Sequence, residues 1–493
     1  MDIIRRASGP HLKVLRQIYS YAAAQKAGLY LVGGYMRDIY LGRQKQDPDI
    51  DLCIARGAIP FGRGLARRLK CGYVVLDEAH GCCRLVLQTP GPVYTIDISD
   101  FRAPTLAEDL ALRDFSVNSV CLALADLIED PCPAGRVIDP CGGRLDIKQK
   151  RLRIMYKRAF ADDPLRIVRA FSLAAIYGFT IEPACLSAAG RTRRRLIKVS
   201  PERIRDEMFK VLGSGAGGGF LRSLDAHGIL ELVFPEIRAL KRVLSAGRTR
   251  VEIWRHTLGT VEALERLCRR LMHNADIAGY LQARLAGSRS AYALLTLAAL
   301  LHDAGKPRTF KYDNGRVSFY GHERVGSRMA ADIARRLRLS NDEQRWLSRI
   351  TFLHLRPGYL ASMPAVTARA VYRFFRDTGR EAPAVLLLAL ADERATAGYD
   401  VVDKIRPRYE RLMFRLIRIY FERHREAPRK RLVTGHDIMR LGQLPPSEAV
   451  GAILRELEET LAVNSITTRK EALAYAGLLI KKARMKSGRR AVH

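Results

Sequence analysis

An α+β chain is predicted, with a small mixed sheet near the N-terminus and a helical remainder. Three observations predict it. Residues 28–140 mix short β-rich runs with helical stretches. From Pro164 nearly to the end, apolar residues recur at helical spacing. And 493 residues exceed what one ordinary core organises, so two to four domains are expected.

Taken in order, residues 29–32 (LYLV) read as a strand that runs into Gly33-Gly34, and 35–41 as the helix that follows. Residues 49–54 (DIDLCI) alternate and read as a second strand, as do 73–76, 84–87 and 94–98. In the helical part, 213–219 (GSGAGGG) are too glycine-rich to continue a helix and mark a break. Further breaks are expected near Ala246-Gly247 and over the basic, proline-containing 423–431. The last basic residues, 481–490 (KKARMKSGRR), read as a frayed tail. No internal repeat is evident.

Lys and Arg outnumber Asp and Glu by 84 to 51, a net charge of +33. Such an excess favours a polyanionic partner, nucleic acid before an anionic membrane surface. The nine cysteines form no CxxC pair or regular framework, which suits a reducing compartment better than a disulfide scaffold. The first residues lack the apolar core of a signal peptide, and the longest apolar run, 291–301, is too short to span a bilayer. A soluble, cytoplasmic protein with no membrane partner is expected.

The segment LYLVGGYMRDIYLGRQKQDPDIDLCI carries the most specific chemistry. Gly33 and Gly34, without side chains, let backbone amides approach a ligand, and the helix they open offers its N-terminus to a triphosphate. Arg37 and Asp38 sit on that helix's first turns and are expected to shape the same site. Asp49 and Asp51, two apart on a strand, put both carboxylates on one face. Paired carboxylates are what Mg²⁺ takes alongside substrate phosphates, and Asp97, on a later strand, is a candidate third acid. In two-metal chemistry one ion activates a 3′-hydroxyl while the other steadies the triphosphate and the departing pyrophosphate. An aspartate pair alone is common; one that follows strand-Gly-Gly-helix by a short connection is not.

These motifs resemble the nucleotidyltransferase superfamily, specifically the bacterial-type (class II) CCA-adding enzyme and poly(A) polymerase family, in colinear order over most of the chain. Asp49 and Asp51 match its catalytic metal-binding pair. LRDFSVNSV, residues 112–120, resembles its ribose-recognition motif, with Arg113, Asp114 and Asn118 matching and Leu112 standing where an arginine is usual. VIDPCGGRLDI, with Asp139, Gly142 and Asp146, fits the end of the head domain. DDPLRIVRA, residues 162–170, resembles the nucleotide-selecting motif. There a carboxylate and a guanidinium three apart share a helix face and can meet a base edge. By resemblance Asp163 and Arg166 read the incoming CTP or ATP, and Asp162 supports Arg166. SPERIRDEMFKVL matches the helical neck.

His256, His302, Asp303, His322, His354 and Asp392 form a second set. Imidazole and carboxylate together suit a divalent first-row metal such as Mn²⁺, Ni²⁺, Co²⁺ or Fe²⁺, and a metal with an open position drives phosphoester hydrolysis. Taken singly, each histidine fits an ordinary buried or surface position. The ordered set, with Gly305 and Lys306 after the His302-Asp303 pair, resembles the HD phosphohydrolase domain. LVTGHDIMRLGQLPPSEAVGAILRELEE, residues 432–459, resembles the family's C-terminal helical region, which implies tRNA rather than a small acceptor. The resemblance divides the chain into a nucleotidyltransferase head over 1–150, a helical neck and nucleotide-selecting region over 151–245, an HD domain over 246–422 and a helical RNA-binding region over 423–493.

Three activities share this framework: addition of CCA, of only CC or only A, and of poly(A). In CCA-adding relatives a flexible loop between the third acidic strand and the ribose motif assists the change from CTP to ATP. Only ten residues, 103–112, stand between Arg102 and Arg113 here. The resemblance therefore implies a CC-adding enzyme that relies on a separate A-adding partner. The alternatives are a poly(A) polymerase acting on RNA 3′ ends and, from another class, an HD-domain phosphohydrolase with a degenerate head. Intact Asp49, Asp51, Arg113, Asp114 and Arg166 argue against degeneration.

Overall fold

A computed structural model describes residues 10–43, 48–129, 133–243, 253–285, 289–396, 407–425, 432–462 and 468–490. The chain divides into two compact units. One comprises Met1–Val211 with Ser223–Val233, the other Leu212–Arg222 with Phe234–His493.

The first unit is built on a six-stranded sheet. Its strands are β1 (Leu29–Leu31), β2 (Asp49–Ile54), β3 (Gly72–Asp77), β4 (Cys82–Gln88), β5 (Val93–Asp100) and β6 (Leu122–Ala123), in the order β3-β4-β5-β2-β1-β6. Only β2 and β5 run parallel; every other pair is antiparallel. Alternation sets the two faces. Ile50, Leu52, Tyr94, Ile96 and Ile98 are buried, while Asp51, Asp97 and Ser99 stand on the opposite, partly open face. Each buried aliphatic side chain of this kind contributes about 2 kcal/mol, so a register slip that exchanged the faces is strongly disfavoured. The five strands read from periodicity are therefore all present. β6, only two residues long, was too short to show a period.

Beyond the sheet this unit is helical apart from a short parallel pair, Arg151–Leu152 with Thr180–Ile181. Leu165–Tyr177 buries one side and stops at Gly178, whose φ of +71° is left-handed; Pro201–Leu212 follows after Pro183–Thr192. The predicted break over 213–219 is real but shorter than expected. Gly217 already opens the next helix, Gly217–Ala226. There a Cβ on Gly218 would stand 2.6 Å from Glu262 Cγ, and Gly218 N donates to Glu265 at 2.9 Å, so the glycines serve close helix packing.

The second unit is all-helical apart from short two-stranded ribbons. Ala291–Leu301, buried along nearly its whole length, and Ala382–Thr396, buried over Ala382–Ala391, lie at its centre, and Ile253–Leu271 packs against both. Gly435–Gly442, Glu448–Ala462 and Arg469–Arg490 share a separate small core around Ile438, Leu457 and Ala476. The tail expected to fray is helical to Arg490. The break expected at Ala246-Gly247 lies outside the described residues, as do residues 426–431 of the segment expected to separate the C-terminal helices. Among the described residues no helix is long and apolar enough to cross a membrane.

Candidate active site and a second candidate metal centre

The parallel register of β2 and β5 sets Asp51 directly beside Asp97, and Asp49 beside Thr95. The three carboxylates therefore share one sheet face, although Asp49 and Asp97 stand 48 residues apart in sequence. Gly33, at φ +67°, carries the chain from β1 over Asp51, and Gly34 N donates to Asp51 Oδ2 at 2.9 Å. A Cβ on Gly33 would stand 2.8 Å from that oxygen, so the approach requires glycine. Burial pushes the Asp51 carboxyl above its ordinary range, Asp97 and Asp49 push it further, and Arg169 and Arg113 oppose them. A half-buried carboxylate crowded by like charges is an arrangement that a cation relieves. The donors are all carboxylate oxygens, which fits Mg²⁺.

Asp97 is not idle. Arg84, its register partner on β4, holds both its oxygens at 2.7 and 2.8 Å. A metal-ligating role for Asp97 thus involves sharing it with Arg84.

A cavity of about 270 Å³ opens over this face. Gly33, Gly34, Asp51, Asp97, Arg113, Asp114, Asn118, Asp163 and Arg166 all line it. Motifs spread over more than 130 residues thus meet in one place. Asp114 accepts from Phe115 N, Asn118 Nδ2 and Arg169 Nε, each at 2.9 Å. Burial alone would raise its pKa, but Arg169 and the Asn118 amide outweigh it and hold the carboxyl below the usual range. Arg113 is buried and anchored on Asp109 at 3.0 Å.

Asp49, exposed at the start of β2, shares the face of Asp51 but is not part of the cavity's lining, and three further expected positions lie elsewhere. Arg37 and Asp38 are buried behind the cavity rather than on it, because the helix Gly33–Leu41 turns its second turn, which carries them, inward. Arg37 pairs with Asp38 at 2.8 Å, donates to Asn118 Oδ1 at 2.8 Å and to Tyr177 Oη at 2.6 Å, and lies 4.1 Å from the Tyr177 ring centroid. Their influence on the site passes through Asn118. Asp162 is also outside the cavity: it ends the short helix Ala159–Asp162 and faces Arg158 at 3.6 Å. Arg166 is steadied instead by Tyr156 Oη at 2.9 Å and the Ala159 carbonyl.

Sequence reasoning missed Arg102, Arg169 and Arg203, which line the same cavity. Arg203, from the helix Pro201–Leu212, holds Asp163 Oδ2 at 2.8 Å, while Asp163 Oδ1 accepts from Leu165 N. Arg169 had a signal, since it follows Arg166 by three residues and so shares its helix face. Arg203 had none, because only folding brings it to Asp163. Residues 103–112 are compact: Thr105 and Glu108 form a reciprocal cap on the helix Leu106–Ala111, and Asp109 accepts from Arg102 N and Arg113.

In the second unit the predicted histidines and aspartates come together. His302 caps the C-terminal end of Ala291–Leu301 and His354 that of Asn341–Leu353, while His322 opens the helix His322–Arg336. Gly305 makes this possible, since a Cβ there would stand 2.1 Å from His322 O. His256, His302 and Asp392 form one triplet of converging ligand atoms, and Asp303, His322 and His354 another. Asp303 joins the two, 3.3 Å from His302 Nε2 and 3.5 Å from His322 Nε2.

His302, His322 and His354 each direct Nδ1 at a backbone carbonyl, of Ala299, Phe319 and Thr351, at 2.6–2.9 Å. A neutral ring that donates through Nδ1 leaves Nε2 a bare lone pair. His322 Nε2 and His354 Nε2 then face each other at 3.3 Å, while His302 Nε2 lies 3.3 Å from Asp303 and 3.5 Å from Asp392, whose negative charges overcome burial and push the His302 pKa up to about 10. Burial and His302 together lower the His354 pKa to about 4, and burial lowers that of His322, so both stay neutral. Lone pairs converging on aspartates fit a divalent cation bound by nitrogen and oxygen.

Three stretches of the chain match known families. The Poly A polymerase head domain matches residues 29–153, the probable RNA and SrmB-binding site of polymerase A matches 178–241, and the HD domain matches 253–447. An A-adding tRNA nucleotidyltransferase of Deinococcus radiodurans is 32% identical over 91% of this chain and 94% of its own. A CC-adding tRNA nucleotidyltransferase of Geobacter sulfurreducens is 28% identical over 91% of each chain. Among solved structures, a Thermotoga maritima CCA-adding enzyme complexed with tRNA has the same fold, with a TM-score of 0.60 at 18% identity over 96% of this chain and 97% of that one.

Proposed function

The chain belongs to the bacterial-type tRNA nucleotidyltransferase and poly(A) polymerase family, and from that premise we propose that it adds nucleotides from CTP or ATP, without a template, to the 3′ end of tRNA. The observation that carries the proposal is the single cavity on which Asp51, Asp97, Arg113, Asp114, Asn118, Asp163 and Arg166 converge. The RNA 3′-oxygen bonds to the α-phosphorus of the nucleotide as its bond to the β-phosphate oxygen breaks, releasing pyrophosphate. Asp49 and Asp51, with Asp97, would hold Mg²⁺, which lowers the pKa of the attacking hydroxyl and stabilises charge on the phosphates. Gly34 N–H keeps Asp51 aimed. Arg102, Arg113 and Arg169 place positive charge where the triphosphate lies, and Asp114 and Asn118 meet the ribose. Asp163 and Arg166 read the base edge, with Arg203 setting the orientation of Asp163.

CC addition is the specificity proposed, because the capped helix at 103–112 leaves no free loop between β5 and the ribose motif. Addition of A alone is the second reading, favoured by the 32% identity to the Deinococcus enzyme. The test is incubation of the pure chain with Mg²⁺ and CTP, ATP or both, on tRNA lacking CCA and on tRNA ending in CC, read at single-nucleotide resolution. Two C additions that stop support the first reading. One A on the CC-ending substrate alone establishes the second. A complete CCA shows that the loop's work is done elsewhere, and long A tails establish a poly(A) polymerase.

The site of work proposed is the cytoplasm. For the second unit, the proposal is a divalent first-row metal held by the HD residues, and hydrolysis of a phosphoester there. Metal analysis of the purified protein and of His302→Ala tests the first part directly.

A further inference from the structure

Between the His302-Asp303 pair and His322 the chain makes an excursion that the metal centre does not require. It is a two-stranded ribbon, Lys311–Asp313 paired with Arg316–Ser318. Asn314 (φ +48°) and Gly315 (φ +75°) form its turn, the left-handed pair that a tight hairpin needs. The ribbon is fastened to the centre at its base. The Phe310 and Phe319 rings pack at 6.0 Å, and Lys306, which holds Asp303 at 2.6 Å, lies 5.6 Å from the Phe319 ring centroid. The Phe319 carbonyl in turn accepts from His322 Nδ1.

On this fastened base stand large aromatic side chains in solvent. Tyr320 is 88% exposed and Tyr312 69%, and Phe310 is partly open as well. Around them Arg308, Lys311, Arg316 and Arg324 are exposed, against the acids Asp313 and Glu323. A hairpin of this size does not expose two tyrosines to stabilise itself, since rings in water bury nothing. Exposed rings interleaved with cations are the chemistry that stacks nucleobases and tracks phosphates.

We propose that the hairpin and Tyr320 form a stacking lip at the HD centre that binds the terminal nucleotides of single-stranded RNA. The rings stack the last bases, and the arginines and lysine hold the backbone phosphates. A terminal phosphate is thereby delivered toward the histidine–aspartate cluster. Delivery to a hydrolytic centre rests on the HD reading above; RNA binding at the lip does not.

The test uses the full chain, metal-free in EDTA, and a single-stranded RNA hexamer with 4-thiouridine at its 3′ end. Photo-crosslinks are mapped by mass spectrometry. Crosslinks to the peptides that carry Tyr312 and Tyr320 are expected. The Tyr312→Ala/Tyr320→Ala variant should lose them and bind the hexamer at least about tenfold more weakly, while Tyr320→Phe, which keeps the ring, should retain them. Nucleotide addition to tRNA should be unchanged in both variants, which also reports that they fold. Crosslinks confined to the head or the C-terminal helices, with unchanged affinity in the double variant, would overturn the proposal. If the lip crosslinks while the protein binds no first-row metal, the lip stands and the HD metal reading falls.

Discussion

Adding a methyl group at Gly33 tests the geometry of the carboxylate site at its tightest point. Gly33 sits at φ +67°, where an alanine costs about 1–2 kcal/mol. Its Cβ would stand 3.1 Å from Asp51 Cγ, against a carbon–carbon optimum of about 3.5 Å or more, so the carboxylate must retreat by roughly 0.4 Å. That retreat weakens the 2.9 Å bond from Gly34 N and moves the oxygens that hold Mg²⁺. A displacement of about 1 Å costs on the order of 100-fold in rate, so Gly33→Ala should lower kcat about 10- to 100-fold. The melting temperature of the first unit should fall by only about 3–6 °C. Gly34→Ala is the control. Its φ is not left-handed, and its Cβ meets the movable end of Arg37 at 3.3 Å and Asp51 Oδ2 at 3.5 Å. It should keep kcat within about threefold. The assay is single-turnover CMP addition to tRNA lacking CCA, at saturating Mg²⁺ and CTP. Full kcat in Gly33→Ala, or equal losses in the two variants, would refute the reasoning.

Three further outcomes are expected. Asp51→Ala should abolish nucleotide addition and leave the affinity for tRNA within about twofold; measurable turnover would remove Asp51 from the metal site. Arg169→Met should destabilise the first unit by about 1–2 kcal/mol at neutral pH and shift its acid unfolding to higher pH, followed by circular dichroism from pH 6 to 2. The sign follows from Asp114. Its folded pKa is held below the unfolded value, so its contribution is present above about pH 4 and lost as pH falls through the folded pKa. An unmoved acid midpoint would show that Arg169 does not set the charge of Asp114. His302→Ala should leave nucleotide addition intact and lower bound first-row metal to background by elemental analysis; retained metal would exclude His302 as a ligand.

The strands and the Asp49–Asp51 pair were legible because their signals are local. Alternation over five or six residues shows a half-buried strand, and a period of two fixes which side chains share a face. The HD residues were legible as a set through resemblance, and their side chains do meet. The hairpin at 311–318 was passed over, although Asn314-Gly315 is a strong turn signal, because long helical patterns flank it on both sides. Arg37 illustrates the opposite failure. An arginine one turn into a helix that follows two glycines has the place of a phosphate ligand, yet Tyr177 and Asn118 claim it, and neither is near it in sequence.

The sequence by itself determined the α+β order and the sheet face that carries Asp49 and Asp51, both of which depend on periodicity, and resemblance to a known family singled out the histidine–aspartate set. Tertiary structure decided which charges meet: Arg84 on Asp97, Arg169 on Asp114, Arg203 on Asp163. A guanidinium reaches several ångströms from its Cα and pairs with any carboxylate that folding brings near. With 84 basic residues in the chain, spacing alone cannot say which ones do.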